Sequence, residues 1–99
     1  MTLYIAEILG ANSSPAQCTV GGVLLGAVTH MSTDWAALRV VGRSYSEPSP
    51  VALFRSRGDA QDSADAAVWN GQISRVRAAR GRNLSAGVVV DSHAPEVLP

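Results

Sequence analysis

Apolar and polar positions alternate in the middle of the chain, and the alternation predicts two strands, residues 38–45 and 51–56. Between them lies a loop, residues 46–50, whose two prolines cannot donate to a sheet ladder. The chain is therefore expected to turn back at this loop, so that the two strands pair with each other. This pair forms the middle of the predicted fold.

The segment before this pair predicts one strand and one helix. Residues 3–9 form an apolar run broken only by Glu7, as in a strand that is covered on much of both faces. Ser14 and the proline after it then provide a helix start, and Gln17 completes a capping box. Apolar residues at helical spacing extend this helix to about residue 30. Its glycines predict close packing against another backbone.

A second helix is predicted from Asp59, as its N-cap, to Gly81 beyond its last turn. Acidic residues early in this helix and arginines late in it would complement the helix dipole. These arginines are Arg75, Arg77 and Arg80. Small residues form one face of the helix, and larger ones form a second face. The second face consists of Ala66, Trp69, Ile73 and Val76. Because the sheet covers only one face, the second face is predicted at a subunit boundary.

With a final strand at residues 85–91, the element order is β-α-β-β-α-β. This order predicts an α+β fold of the ferredoxin-like type, a four-stranded antiparallel sheet with two helices on one face and a short C-terminal tail. Residues 1–99 are expected to form a single domain, because a chain of 99 residues has room for one core. The ferredoxin-like fold hosts many functions, so it decides none.

Charge and composition narrow the classes of partner. Eight acidic and eight basic residues cancel, which disfavours nucleic acid and anionic membranes, since both select excess positive charge. No segment has the length of a membrane span and the start lacks a basic, signal-like region, so a cytoplasmic protein is expected. Neutrality also removes repulsion between copies, which favours self-association.

The sequence contains no motif for catalysis or for a cofactor. His30 and His93 are far apart and have no companions, so a structural role is expected for both rather than a metal site or a triad. Cys18 is the single cysteine, which excludes an internal disulfide and favours a small core residue. We therefore expect a protein that is not an enzyme and that binds neither a cofactor nor a metal.

Three segments carry a family resemblance: residues 41–59, which end in Arg57-Gly58-Asp59, the alanine-rich residues 59–81, and residues 88–99, which contain His93-Ala94-Pro95. They resemble the pore-loop region, the second helix and the closing segment of single-domain bacterial microcompartment shell proteins, which form cyclic hexamers. The resemblance spans nearly the whole chain, although no single short motif in it is unique to the family.

The resemblance implies a structural protein of a bacterial microcompartment in the cytoplasm. It would assemble into a cyclic homo-oligomer, a hexamer, with a central pore for small metabolites and with other shell proteins as further partners. The implied pore-lining residues are Ser46, Glu47, Pro48 and Ser49. The implied subunit interface contains Trp69, Ile73, Val76, Arg57 and His93.

The chain departs from the family pattern at positions where hexamers contact one another. It has no lysine, so the edge lysine of the family is missing, and Asp91-Ser92-His93 stands where the family has Pro-Arg-Pro-His. Each lost contact would be repeated at every edge of a lattice, so the sequence predicts rings that do not tile alone.

Two other classes of function stay open on the sequence. A ferredoxin-like regulatory module of the ACT or PII kind would bind a small molecule as a dimer or trimer. An enzyme of the dimeric ferredoxin-like barrel type would have to use His30, His93 or Asp34 as its acid or base. The oligomeric state distinguishes the shell-protein hypothesis from the regulatory-module hypothesis. A hexamer favours the shell protein, and a dimer that responds to a metabolite favours the module.

Overall fold

The computed structural model describes residues 1–9, 16–27, 34–41, 49–68 and 71–90. Within them the chain has a mixed α+β fold with two helices and mostly antiparallel strands, which agrees with the predicted fold class. The strands are β1 (Tyr4–Leu9), β2 (Ala16–Val20), β3 (Val23–Ala27), β4 (Trp35–Ala37), β5 (Arg39–Val40), β6 (Ala52–Leu53), β7 (Ile73–Ala78) and β8 (Val88–Val89), and the helices are α1 (Arg57–Ala67) and α2 (Gly81–Ala86). The described strands form three small sheets, ordered β4-β1-β7, β2-β3-β5 and β6-β8, rather than one clear four-stranded sheet.

Strand β1 organises the fold because it pairs on both sides and also packs against α1. Its neighbours β4 and β7 are antiparallel to it, and Glu7 lies opposite Ala37 on one side and Arg75 on the other. Successive side chains of a strand point to opposite faces. Ala6 and Ile8 accordingly pack in the core beneath α1, whereas Glu7 lies on the face away from the helix. The predicted first strand is confirmed.

Backbone hydrogen bonds join the three sheets into one connected β layer. The N–H of Leu38 donates to Ala6 O at 2.8 Å, and the N–H of Ala52 donates to Leu38 O at 2.9 Å. Arg39 and Val51 form an antiparallel bridge. The predicted pairing of the two central strands is confirmed at these residues, but β5 and β6 are only 2 residues long each.

The prediction of a first helix is wrong, because its described part is the hairpin of β2 and β3. Gly21 and Gly22 form the turn with φ angles of 55° and 79°. Glycine reaches this left-handed region without steric cost, and two such residues suit the tight turn of a hairpin. Val20 and Val23 flank the turn and pair with each other. β-Branched residues on both sides of a Gly-Gly turn favour strands, and this signal outweighs the apparent helix start.

The predicted second helix is too long, because it combines α1 with strand β7. Helix α1 ends at Ala67, and Val68 already has an extended backbone with φ −71° and ψ 135°. Gly71 then adopts a φ of 76°, and the chain continues as β7. The sequence Asn70-Gly71 is a strong turn signal, and the Ile-Ser-Arg-Val-Arg-Ala segment after it has the period of a strand.

Two consequences of the long helix are therefore wrong as well. Arg75 and Arg77 lie on a strand, so they do not compensate a helix dipole. Ile73 and Val76 lie on opposite faces of β7, Ile73 exposed and Val76 against the core, so they form no common helical stripe.

The first turn of α1 and its face of small residues can be compared directly with the prediction. Ser56, rather than the predicted Asp59, caps the helix, and its Oγ accepts a hydrogen bond from the N–H of Asp59 at 3.1 Å. The predicted face of small residues, Ala60, Ala64, Ala67, Val68 and Gly71, is confirmed for its three alanines, which are buried against the sheet. Val68 and Gly71 lie beyond the end of α1. Alanines let the helix approach β1 and β7 closely, since they add little side-chain bulk.

Helix α2 and strand β8 replace most of the predicted last strand. Within the described part of residues 85–91, β8 spans only Val88–Val89 and runs parallel to β6. Gly87 joins α2 to β8 at a point where a side chain has no room. A Cβ atom there would lie 2.6 Å from Asn83 O and 2.6 Å from Leu53 Cγ.

Buried apolar residues occupy both faces of β1. The larger cluster lies beneath α1 and includes Phe54, the largest fully buried side chain described, together with Ile8 and Leu25. A smaller cluster around Ile5 and Leu53 lies apart from it. None of the described helices is long and apolar enough to cross a membrane.

Candidate functional site

A buried carboxylate on β1 holds two arginines of β7 in fixed positions. Glu7 is 4% exposed, and its Oε1 accepts from Arg75 Nε at 2.9 Å. Arg77 contacts both carboxylate oxygens, Oε1 through Nε at 2.8 Å and Oε2 through Nη2 at 3.3 Å. Such a two-point contact fixes the orientation of the guanidinium as well as its position. The two arginine side chains are 43% and 52% exposed, so each presents further N–H donors to the solvent.

Apolar residues border this cluster on the same side of the sheet. The Arg75 guanidinium lies over the Trp35 ring, with Cζ 4.0 Å from the ring centroid. Ile73, two residues before Arg75 on β7, is 55% exposed. We call this surface, formed by Trp35, Ile73, Arg75 and Arg77, the arginine face. It combines fixed positive charge with exposed apolar surface, which is a common composition for protein interfaces.

The opposite side of the same sheet is covered by α1, whose outer surface is acidic. Asp62, Asp65 and Ala66 are exposed there at a spacing of three and four residues, so they form one patch on the helix. The Asp62 side chain has no hydrogen bond or ion pair within the described residues. Asp65 Oδ1 accepts from Gln61 Nε2 and from Ser74 Oγ, both at 2.8 Å. We call this surface the acidic patch.

A groove with a volume of about 390 Å³ lies between β5, the residues before β6, and α2. Its polar lining comes from Arg39, Arg82, Asn83 and Ser49, and its apolar lining from Pro50, Val51 and Ala86. Arg39 Nη1 donates to Ser49 O at 2.8 Å, which fixes one arginine at the edge of the groove. The groove is distinct from the arginine face, since the two share no residue.

The site residues that the sequence predicted are not gathered at one place. Of the four pore candidates, only Ser49 is described, and it is half-buried with its carbonyl accepting from Arg39. Arg57 is exposed, and its Cζ lies 5.1 Å from the centroid of the Tyr4 ring while Nη1 donates to Val76 O at 3.4 Å. Ile73 is open to a partner, whereas Val76 packs partly against the core.

Several predicted residues lie outside the described residues: Ser46, Glu47, Pro48, Trp69, His30 and His93. Asp34, the third candidate for acid–base chemistry, is exposed immediately before β4. Within the described part of the chain, no group of three or more side chains is arranged to hold a metal ion.

Cys18 lies on β2, where its Sγ is 3.6 Å from Ser63 O of α1. Burial of this half-buried thiol raises its pKa from the ordinary value of 9.0. The thiol therefore stays protonated at neutral pH, which fits the predicted packing role better than a reactive one.

Sequence reasoning missed the Glu7 cluster and the groove. Glu7 was visible as the one acid in an apolar strand, and a buried acid demands a cationic partner. The sequence pattern, however, predicts a helix for Arg75 and Arg77, so their positions opposite Glu7 do not follow from it. Recognition of the strand period in residues 73–78 would have exposed Arg75 and Arg77 as candidates for one face.

Comparisons with known proteins add no family to this geometry. The chain matches no protein-family model, no curated protein and no solved structure.

Proposed function

We propose that the protein is a structural, self-associating protein in which the arginine face of one copy binds the acidic patch of the next. The supporting observation is the separation of charge across one sheet. The chain has a net charge of zero, yet Arg75 and Arg77 point away from α1 while Asp62 and Asp65 lie on its outer side. Complementary charges on two sides of a neutral molecule favour contact between unlike sides of two copies.

The two surfaces match in apolar character as well as in charge. Ile73 lies beside the arginines, and Ala66 lies beside the aspartates, so an apolar contact can accompany the ion pairs. The Glu7 carboxylate already orients the guanidinia, which reduces the conformational entropy that binding would otherwise cost. Contact between two arginine faces would bring like charges together, so a head-to-tail arrangement is favoured over a symmetric one.

A head-to-tail contact produces a ring when its rotation closes and a filament when it does not. The resemblance to microcompartment shell proteins supports closure into a hexamer, with residues 46–49 around a central pore that passes small metabolites. The proposed contact uses only β4, β7 and α1, so it does not require the complete ferredoxin-like sheet of that family. The absence of lysine supports rings that need a second shell protein in order to tile.

The alternative, a regulatory module of the ACT or PII type, makes a different prediction about assembly. A regulatory module would form a symmetric dimer or trimer, and neither the arginine face nor the acidic patch would have to be covered. The number of copies and the dependence on both surfaces therefore distinguish the two proposals.

The test measures the molar mass of the purified protein by size-exclusion chromatography with light scattering, over a range of concentrations. Asp62→Arg places a positive charge in the acidic patch, and Ile73→Glu places a negative charge on the arginine face without replacing Glu7, Arg75 or Arg77. Each variant alone is expected to shift towards the monomer, because like charges then meet in the contact. An equimolar mixture of the two variants is expected to regain mass, since the arginine introduced by Asp62→Arg can pair with the glutamate introduced by Ile73→Glu.

Matched controls place the same charges elsewhere. Leu84 is an exposed apolar residue of α2 outside both surfaces, so Leu84→Arg and Leu84→Glu should leave the mass unchanged. A wild-type monomer at every concentration would contradict self-association. Equal effects of Asp62→Arg and Leu84→Arg would contradict the assigned surfaces. Electron microscopy of negatively stained protein then separates the ring from the filament.

A further inference from the structure

The groove between β5 and α2 has the dimensions of a small-molecule site. Its volume of about 390 Å³ lies in the range of roughly 300–1,000 Å³ that ligand pockets occupy. Segments that are far apart in the sequence line it, since Arg39 belongs to β5 and Arg82 belongs to α2. Such a groove exists only in the folded protein.

The described residues that line the groove carry two positive charges and no negative one. Arg39 and Arg82 both contribute to it, and its other described residues are neutral. The Arg82 side chain has no hydrogen bond or ion pair within the described part of the chain, and its carbonyl oxygen accepts from Ser85 Oγ at 3.3 Å. Arg39 uses Nη1 to bind Ser49 O, and it retains further N–H donors on the same guanidinium. Two guanidinia beside one groove, with no acidic residue among the described residues of its lining, form an electropositive site.

The remaining residues limit what an anion in this groove could be. Pro50, Val51 and Ala86 provide an apolar wall, and the Asn83 side chain can donate or accept a hydrogen bond. An inorganic ion alone would leave the apolar wall in contact with water. A molecule with an anionic group at one end and a short apolar part at the other end would use both kinds of lining.

We propose that this groove binds a small organic anion, with its carboxylate or phosphate held by Arg39 and Arg82 and its apolar part against Pro50, Val51 and Ala86. A guanidinium donates two parallel hydrogen bonds to either group, so both chemistries fit. The site is independent of the proposed assembly, because no residue of its lining belongs to the arginine face or to the acidic patch. A variant that loses anion binding should therefore still self-associate, and a variant that loses self-association should still bind the anion.

The test follows the Nε–Hε resonances of the arginines by NMR while the full-length protein is titrated with phenyl phosphate or with benzoate. Phenyl phosphate carries a phosphate and benzoate carries a carboxylate, each on the same apolar phenyl ring. The probe that binds more tightly therefore identifies the preferred anionic group. Both are expected to shift the resonances of Arg39 and Arg82. Inorganic phosphate and phenol, each of which has only one half of the ligand, are expected to bind more weakly.

Substitutions assign the binding to the groove. Arg82→Gln removes a charge from an exposed side chain with no described partner, so the protein should fold normally and bind the probe at least about tenfold more weakly. Arg82→Lys should restore part of the affinity, because it keeps the charge but loses the two-point contact. Arg80→Gln removes an exposed arginine outside the groove lining and serves as the matched control.

The outcomes separate clearly. Selective weakening by Arg82→Gln, with Arg80→Gln unchanged, supports the site. Equal weakening by the two variants would overturn it, since the anion would then respond only to net charge. Inorganic phosphate that binds as tightly as phenyl phosphate would overturn the organic ligand, and the absence of any shift at millimolar probe would overturn the site as a whole.

Discussion

At the scale of single residues, Glu7 shows how burial determines what the loss of an ion-pair partner costs in stability. The carboxylate is 4% exposed, whereas its partners Arg75 and Arg77 keep about half of their side-chain surface in water. Removal of the carboxylate therefore leaves charges that water can solvate. Removal of both arginines leaves a charge that water cannot reach, and such a charge is strongly destabilising.

This asymmetry predicts the outcome of a mutant cycle. Arg75→Gln together with Arg77→Gln should lower the free energy of unfolding by about 3–5 kcal/mol, because the buried carboxylate loses both cations. Glu7→Gln should cost less, about 1–2 kcal/mol, since it removes charge-assisted hydrogen bonds but strands no buried charge. Urea denaturation measures both values.

The triple variant is the control for this cycle. Adding Glu7→Gln to the double arginine variant should restore part of the lost stability, because it removes the unpaired buried charge. A triple variant that is less stable than the double variant would contradict the explanation. So would a larger loss from Glu7→Gln than from the double arginine variant.

At the scale of elements, the end of α2 is held against β6 through a glycine. The backbone of Gly87 has φ −82° and ψ 168°, which any residue can adopt. Its requirement is therefore space, because a Cβ atom would meet Asn83 O and Leu53 Cγ, both at 2.6 Å. This close approach lets the chain run directly from α2 into β8.

Gly87→Ala should therefore destabilise the protein by about 1–3 kcal/mol through overpacking. The matched control is Gly58→Ala in α1, where a Cβ atom would meet nothing within 4 Å. The control should be neutral or stabilise the protein by up to about 1 kcal/mol, because alanine favours helix and restricts the unfolded chain. Thermal unfolding followed by circular dichroism compares the two. Equal effects of Gly87→Ala and Gly58→Ala on stability would show that the structure around Gly87 accommodates a Cβ atom without a loss of stability.

At the scale of the whole molecule, neutrality of the chain hides an ordered distribution of charge. The arginine face and the acidic patch lie on two sides of the sheet that contains β1 and β7. Net charge alone would describe this protein as electrostatically featureless. The arrangement instead provides two complementary surfaces on each copy.

Salt should weaken the proposed association, because the proposed contact joins solvent-exposed charges and the Debye length falls from about 30 Å at 0.01 M to about 10 Å at 0.1 M salt. Light scattering of the wild-type protein over this range should record a falling mean molar mass. The Leu84→Glu variant should behave in the same way, whereas the weakly associating Ile73→Glu variant should respond little. A mass that rises with salt would indicate apolar association and contradict the electrostatic contact.

The sequence by itself determined the mixed α+β class, the strand at β1, the pairing of Arg39 with Val51 across the loop, and the buried alanines of α1. Each of these features depends on the local period of apolar residues or on a residue with few allowed conformations, such as proline in a loop. The predicted boundaries of helices and strands were wrong where one segment fitted both a helical and a strand pattern. Residues 16–27 have apolar spacing that suits a helix, but the Gly-Gly turn and its β-branched neighbours form a hairpin.

Only the tertiary structure decided which distant residues meet. The contact between Glu7 and Arg77 joins residues separated by 70 positions, and the groove joins Arg39 to Arg82. No local period encodes such contacts, because they depend on the register of β1 with β7 and on the packing of α2 against the sheet. Local sequence therefore supplied the elements, and the pairing of those elements supplied the surfaces on which a function can be proposed.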